Sequence, residues 1–532
     1  MVFDLLDLGI ASAPANHIAK ITLVQRIRLV GVIAGTVVSY RLVLVVPQSV
    51  VAREVLNESH DRAVPKQPVA SYQEPVTRLH ISHFWRDRRA KIFRFQESRV
   101  MTPSRRRFLQ TAAGAAALTI TTSARSFGNT HILQVATNFP APPGPDRIPP
   151  EWYQRKIKQV QARMAERNLN AMVLLNAHNV VYTTGYFHLP TERPLAVLIP
   201  ASGEPALFVP GLESDQVKLW WVKDVEVYFD YPGPVNRVRW IFERVNARGL
   251  GGGTIGIEEC TPSKRAHMQL GAPKAKLVDA GDIVEEMRWV KEPEEIAVMR
   301  RATYFADYTV QAGRAYIEAN GSVTEDQILK ATADAVAEKM SKELTSVVGV
   351  GIEAPFGGLV PFGKRSAFPH AVPSKDILKT GDALILSYGA MVGGYNVECE
   401  RSFCVGQPSD HAKKLYDAML AAHDTGAANL KEGMIAENVD KMSLDQIRQA
   451  GFEQFLKHRT GHGVGLEGHE APWIAEGDKT VLKVGMTFSC EPGVYDPGWG
   501  GFRHSDTVVV GKTSGEILNK YPTRLSDMII VI

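Results

Sequence analysis

Cysteine is scarce in this chain: four in 532 residues, at Cys260, Cys399, Cys404 and Cys490, no two of them in C-x-x-C spacing. That excludes a disulfide framework, a zinc ribbon and a dithiol redox motif, and leaves free buried thiols as the expected state. Internal repeats are absent, and the chain beyond residue 130 has no apolar run long enough to span a bilayer. Neither sign of charge dominates, with 61 Lys+Arg against 57 Asp+Glu. A composition of 45% hydrophobic and 22% charged residues excludes a largely disordered or collagen-like chain. The length suggests about two to four domains.

The small positive balance is unevenly placed. Residues 1–100 hold 14 Lys+Arg and 8 Asp+Glu, and residues 101–130 hold four arginines and no acid. The remaining 402 residues are therefore acidic overall, with 43 basic and 49 acidic side chains. A basic surface seeking nucleic acid is not expected of them.

The local basic segment has an order of its own. Ser104-Arg105-Arg106-Arg107-Phe108-Leu109-Gln110 carries the serine, paired arginines, phenylalanine and leucine of a twin-arginine export signal. A short, weakly apolar stretch, Thr111–Thr122, follows as the hydrophobic region of such a signal. Residues 101–130 are thus expected to be a signal peptide cleaved between Ser123 and Asn129, giving a periplasmic or secreted protein with no stable membrane anchor in its mature form. Because such a signal works at an N-terminus, residues 1–100 are read as a doubtful leader, with translation starting at Met101. The competing reading is a membrane-anchoring or regulatory extension.

Pro140–Pro150 reads as an exposed, semi-extended lead within a proline-rich linker over 131–150. An amphipathic helix over Trp152–Asn168 is followed by short apolar runs at Ala171–Asn176, Leu195–Ile199, Ala206–Val209 and Thr254–Ile257, with helices near Trp240–Asn246 and Ser263–Leu270. That alternation predicts a small α/β domain over 151–288. Lys291-Glu292-Pro293-Glu294-Glu295 opens the next unit, because proline at a helix start followed by acids suits the helix dipole. Helices are expected over Ile296–Ala319, Thr324–Lys342, His411–Leu430 and Ala436–Ala450. Strands are expected at Val347–Gly351, Ala383–Tyr388, Ser402–Val405, Met486–Cys490, Asp506–Val510 and Met528–Ile532. The fold class is α+β, with a catalytic domain over 289–532.

Histidine, carboxylate and glycine concentrate in five segments of that domain: Phe368-Pro-His370; Ser387-Tyr-Gly-Ala leading to Glu398-Cys-Glu400-Arg401; Thr460-Gly-His462-Gly leading to His469-Glu470; Cys490-Glu491-Pro-Gly; and Gly500-Gly-Phe-Arg503-His504-Ser505-Asp506. Together they resemble the creatinase/aminopeptidase P (M24) family, over essentially all of 151–532. The resemblance implies a C-terminal pita-bread catalytic domain preceded by a smaller α/β domain, and a homodimer acting on a small-molecule substrate. In the metal-dependent peptidases of that family five side chains hold two divalent metals, and carried over by position they become Ser387, Glu398, His462, Glu491 and Ser505. Two are serines, and neutral hydroxyls do not replace the carboxylates that balance two dications. No cofactor is therefore expected, with one divalent metal on Glu398, His462 and Glu491 as the fallback; His504 could approach in place of Ser505.

The metal-free members match better at one place: Glu400-Arg401-Ser402 stands where creatinase has a glutamate before Arg-Thr. The resemblance gives His370 the general acid/base role and makes Glu491 a substrate-binding glutamate. It also makes Arg193 the small-domain arginine that reaches a substrate carboxylate across a dimer interface, and His469 a group near the scissile carbonyl. Catalytic work is thus expected of His370, Glu400, His462, His469 and Glu491, with Glu398, Arg193 and Arg503 on the substrate side, Arg503 bracing the Glu491 strand. On physical grounds, Glu398 and Glu400 lie two apart on one strand and face the same way. If Glu491 converges with them, the three carboxylates need a cation, and a forked guanidinium or amidinium suits them.

The first expectation is accordingly a metal-independent C–N hydrolase of a small amidino or guanidino carboxylate. The alternatives are an Xaa-Pro-type metallopeptidase with an altered, mononuclear site, and a catalytically dead periplasmic binding protein. For the export reading, N-terminal sequencing of the native protein is expected to begin between Ser123 and Asn129; a mature chain still carrying residues 1–100 overturns it.

Overall fold

The computed structural model describes residues 141–142, 144–232, 236–345 and 356–532, and the backbone of three strands nearer the start. The twin-arginine segment, residues 131–140 and 143 of the proline-rich linker and the strand expected at Val347–Gly351 lie outside the described residues; the described part of the lead is not exposed throughout, since Asp146 and Ile148 are buried. The chain forms two compact units, Met1–Thr122 and Ser123–Ile532. In the first, strands Val2–Asp4, Leu23–Ile33 and Thr36–Val46 pair antiparallel in that order. Among the described residues no helix is long and apolar enough to cross a membrane.

The second unit begins with helix Pro150–Glu166, whose Trp152, Ile157, Val160 and Met164 form its buried stripe at helical spacing. It covers a six-stranded mixed sheet in the order Asp224–Tyr228, Ala206–Pro210, Ala196–Pro200, Ala171–Leu174, Thr254–Ile257, Lys276–Asp279. The four central strands are the four apolar runs of the sequence, buried along nearly their whole length. The two outer strands escape the sequence reading because each has an open edge and carries charge, Asp224 and Glu226 on one, Lys276 and Asp279 on the other. Asn176 ends its apolar run by capping helix Ala177–Thr184, its side chain accepting from the backbone N–H of His178 and Asn179.

Helix α1 (Pro293–Asn320) starts on a capping box in which Glu292 and Glu295 satisfy each other's backbone N–H. It packs on a nine-stranded sheet, of which five strands matter for the site: β1 (Ala383–Val392), β2 (Tyr395–Val405), β3 (Gly461–Gly463), β4 (Thr487–Cys490) and β5 (Ser505–Val509). Their order across the sheet is β1-β2-β5-β4-β3. The β1–β2 hairpin turns on Gly393 and Gly394, both with positive φ (56° and 85°), a conformation glycine adopts without a Cβ penalty. The resulting register places Ser387 opposite Glu400, Glu400 opposite Ser505, and His462 opposite Ser489. Residues scattered over more than a hundred positions thereby line up on neighbouring strands.

Glu295 is fully buried behind this sheet, accepting from the Glu292 N–H at 2.7 Å and the Tyr395 hydroxyl at 2.9 Å. Burial pushes its carboxyl up to about 7, against the pull of Lys156. With the folded value above the unfolded one, the native state holds an extra proton between pH 4.5 and 7. Stability therefore falls as pH rises through that window, by at most about 1.4 kcal/mol per pH unit from this group. Glu295→Gln is expected to flatten this fall, as read from urea unfolding at pH 5, 6 and 7.5.

Candidate active site

A cavity of about 500 Å³ opens at the face of the sheet, bordered by His370, Glu398, Glu400, His469, Glu491 and Arg503 among others. The sequence reading of one converging site therefore holds for these residues. His462 lies just beneath, fully buried on β3.

Glu400 differs from its expected role. It is buried, and Arg503 forks onto it, donating from Nε at 2.5 Å and from Nη2 at 2.7 Å. Ser387, directly across the β1–β2 pair, donates its hydroxyl to the same carboxylate. The forked cation expected from a ligand is thus supplied by the chain itself. This corrects two assignments: Glu400 is not a free carboxylate for substrate, and Arg503 is that carboxylate's partner rather than a substrate-binding group. Arg503 Nε also lies 3.9 Å from Glu491, so the bracing role expected for it is secondary. Burial pushes the Glu400 carboxyl up to about 7, with Arg503 opposing and Glu491 and Glu398 adding to the rise.

Glu398 and Glu491 flank His462. Its Nε2 stands 3.4 Å from Glu491 and 3.8 Å from Glu398, and makes no hydrogen bond although buried. Burial favours the neutral ring, but the two carboxylates outweigh it and raise the imidazole to about 9. For Glu491 burial favours the neutral acid, while His462 and Arg503 hold the carboxyl down at about 2. His469 stacks on His462 with ring centroids 3.7 Å apart and planes 12° apart. Its own pKa is lowered, first by burial and then by the charge of His462.

The two serines at the carried-over ligand positions act as donors. Ser505 bonds to Ser489 at 2.6 Å and to Glu398 at 3.3 Å, and Ser489 donates to Glu398 at 2.5 Å. A dinuclear metal centre does not fit this set: two of its five ligands are hydroxyls, and a buried guanidinium already occupies Glu400. One divalent ion does fit, since Glu398, His462 and His469 present donor atoms within 4.8 Å of one another and the buried His462 Nε2 makes no hydrogen bond.

The remaining expectations divide. His370 borders the cavity at its exposed rim. Arg193 is not among the residues bordering it; on the small domain it bonds Asp230 at 2.6 Å and Glu192, so its charge is already matched there. His504 does not replace Ser505, because its buried ring bonds the Tyr416 hydroxyl at 2.8 Å on the other side of the strand. The sequence reading missed Ser489, whose position one residue before Cys490-Glu491 on an alternating strand was its only signal. It also missed Lys457, His458 and Arg459, which precede Thr460-Gly-His462 and border the cavity.

The Glu400–Arg503 pair yields a stability prediction. Arg503→Met leaves a buried carboxylate unpaired and is expected to cost about 3–5 kcal/mol. Adding Glu400→Gln removes that charge and should recover most of the loss; both are read from urea unfolding.

Comparison with known proteins fits this architecture. The model of metallopeptidase family M24 matches residues 297–512, and that of the creatinase/prolidase N-terminal domain matches 156–290. The Xaa-Pro dipeptidase of Pyrococcus horikoshii is 31% identical over 378 residues, covering 69% of this chain and 97% of that protein. The Xaa-Pro dipeptidase of Lactobacillus helveticus is 31% identical over 362 residues, covering 67% of this chain and 94% of that protein. Among solved structures, the Pyrococcus horikoshii prolidase superposes with a TM-score of 0.60 at 27% identity, over 70% of this chain and 99% of that one. With its two domains in family order and its cavity on the pita-bread sheet, the chain belongs to metallopeptidase family M24 and is a hydrolase of C–N bonds.

Proposed function

We propose that this chain is an Xaa-Pro-type peptidase acting on a dipeptide-sized substrate, with its metal site reduced to a single divalent ion. The observation that carries the reading is a charge balance. Arg503 neutralises Glu400, which leaves Glu398 and Glu491 as two uncompensated carboxylates around the unpartnered nitrogen of His462. One divalent ion with a neutral His462 balances these charges, whereas two such ions leave an excess of two positive charges in a buried site. The metal-free amidino hydrolase loses its main physical support, because the three-carboxylate cluster that called for an external guanidinium already has an internal one. The names of the relatives point the same way.

Glu398, His462 and His469, whose donor atoms converge, would hold the ion, with Glu491 beside them 3.4 Å from His462. A bound divalent ion there supplies polarisation of a carbonyl and a more acidic water. The chain's own residues do the rest. His370, at the exposed rim, delivers a proton to the leaving nitrogen. Ser489 donates to one Glu398 oxygen and Ser505 backs it by bonding Ser489, which fixes where the other oxygen points. The Glu400–Arg503 fork fixes the cavity floor. We also propose, on the sequence alone, that the protein is exported folded through the twin-arginine route to the periplasm and works as a homodimer.

Elemental analysis after loading with manganese is expected to give one equivalent per chain, and hydrolysis of Gly-Pro to be lost on chelation and restored by metal. Two equivalents overturn the mononuclear site. Stripped protein that still turns over a guanidino carboxylate overturns the peptidase reading.

A further inference from the structure

The proton donor proposed above, His370, is held by nothing of its own. It is exposed at the cavity rim, and among the described residues its imidazole makes no hydrogen bond or ion pair. An acid has to stand within about 2.6–3.2 Å of the atom it protonates, and a misplacement of about 1 Å costs roughly 100-fold in rate. The placement of this histidine therefore falls to the backbone that carries it.

That backbone is a tight turn. The Ala371 N–H donates to the Phe368 carbonyl at 3.0 Å, so Phe368-Pro369-His370-Ala371 closes on itself with His370 in its third position. Ahead of the turn, the short helix Gly363–Ala367 is docked on strand Gly500–Arg503, where the Gly501 N–H donates to the Ser366 hydroxyl at 2.8 Å. Behind it, Arg365 donates to the Val372 carbonyl and, at 3.3 Å, to Glu325, whose carboxylate also accepts from the Ser374 N–H. Phe368 and Val372 are both exposed, so apolar burial does not anchor the turn. It hangs on polar bonds at its two feet.

The bond at the first foot comes from a distant part of the chain. Lys457 borders the cavity and donates its ammonium to the Ala367 carbonyl at 2.5 Å, immediately before the turn. The same ammonium lies 5.5 Å from the centroid of the Phe368 ring and 5.6 Å from that of Tyr495. Tyr495 is fully buried and Phe368 opens the turn, so one cation ties the turn to a fixed surface beneath it. Lys457 stands five residues before His462, in the segment that runs into β3. The turn carrying His370 is thereby referred to the strand that presents His462.

We infer that Lys457 is a positioning residue that fixes the His370 turn against the metal side of the cavity, acting through the Ala367 carbonyl and the Phe368 ring. This rests on the peptidase reading and on the proton-donor role given to His370. It also gives a purpose to a lysine that faces the cavity without a carboxylate partner among the described residues.

The test measures Gly-Pro hydrolysis by manganese-loaded wild type, Lys457→Met, Lys457→Arg, His370→Ala and the Lys457→Met/His370→Ala double variant. Lys457→Met keeps an apolar stem but has no donor, and is expected to lower kcat about 10-fold with KM nearly unchanged. Lys457→Arg can still donate to the carbonyl and stack on the rings, and should keep most of the rate. His370→Ala should lower kcat about 100-fold, and adding Lys457→Met should then cost nothing more, because no acid is left to place. Hydrogen exchange of residues 367–372, followed by mass spectrometry on metal-free protein, reads the clamp without turnover. Exchange is expected to rise about 10-fold in Lys457→Met and to stay near wild type in Lys457→Arg. A raised KM with unchanged kcat, losses that multiply in the double variant, or wild-type exchange in Lys457→Met overturns the positioning role. Faster exchange with no Gly-Pro turnover by wild type, or with a fully active His370→Ala, keeps Lys457 as the clamp of this turn and sinks the reading on which it rests.

Discussion

The fork between Arg503 and Glu400 is the constraint on which the rest of the site depends. Three carboxylates border one cavity, and without compensation they would raise one another's pKa until some were neutral. Two parallel N–H···O bonds at 2.5 and 2.7 Å match the geometry that makes guanidinium–carboxylate pairs worth their desolvation. Once Glu400 is matched in this way, Arg503 still stands within 3.9 Å of Glu491, and with His462 it keeps that second carboxylate ionised. A single buried guanidinium thus neutralises Glu400 and biases Glu491 toward its ionised form, and it leaves Glu398 and Glu491 to share His462 between them.

The serines follow from the same strand register. Ser387, Glu400 and Ser505 lie side by side across β1, β2 and β5, and Ser489 lies opposite His462. A carboxylate at Ser387 or Ser505 would place another negative charge against Glu400 or Glu398. A hydroxyl donates instead, so the polarity of the network reverses from a cage of acceptors to acceptors held by donors. Behind this layer a second buried set does purely structural work: Arg401 donates to Asp506 at 2.7 Å and His423 Nε2 stands 3.0 Å from the same acid. Asp506 immediately follows Ser505 on β5 and points the opposite way, so locking it fixes the strand that carries Ser505.

Much of this was legible in the sequence where local physics decides. Helices at 150–166, 325–343, 410–429 and 436–449 fall within about two residues of expectation, because proline, Thr324 and Ser409 mark their starts. The outer strands of the small sheet were missed because an edge tolerates the charge that a sequence pattern reads as loop. In the site, residue types in order located the cavity, but not who bonds whom. Glu400 and Arg503 are 103 positions apart, and nothing local distinguishes a glutamate awaiting a ligand from one already paired. Arg459 escaped because counting carboxylates and histidines passes over it; it lies against Trp473 because β3 pairs with strand Glu470–Ile474.

That same strand joins the two domains to the chemistry. Glu470, next to His469, is buried, and Lys291 and Arg288 bond it at 2.6 and 2.7 Å. Arg288 reaches on to the Asn179 side chain at 2.9 Å, and Asn179 donates to Glu258 at 2.7 Å. The path therefore runs from the small sheet, through the helix before α1, to the residue beside the stacked imidazoles. Burial disfavours the Glu470 charge, but its two cations outweigh that and hold its carboxyl below the usual range. A paired acid of this kind is costly to break, because losing either cation strands a charge in the interior. The orientation of His469 over His462 is thus set by groups outside the catalytic sheet. The small domain thus reaches the site through this buried chain of bonds, since no described residue of 151–288 borders the cavity itself.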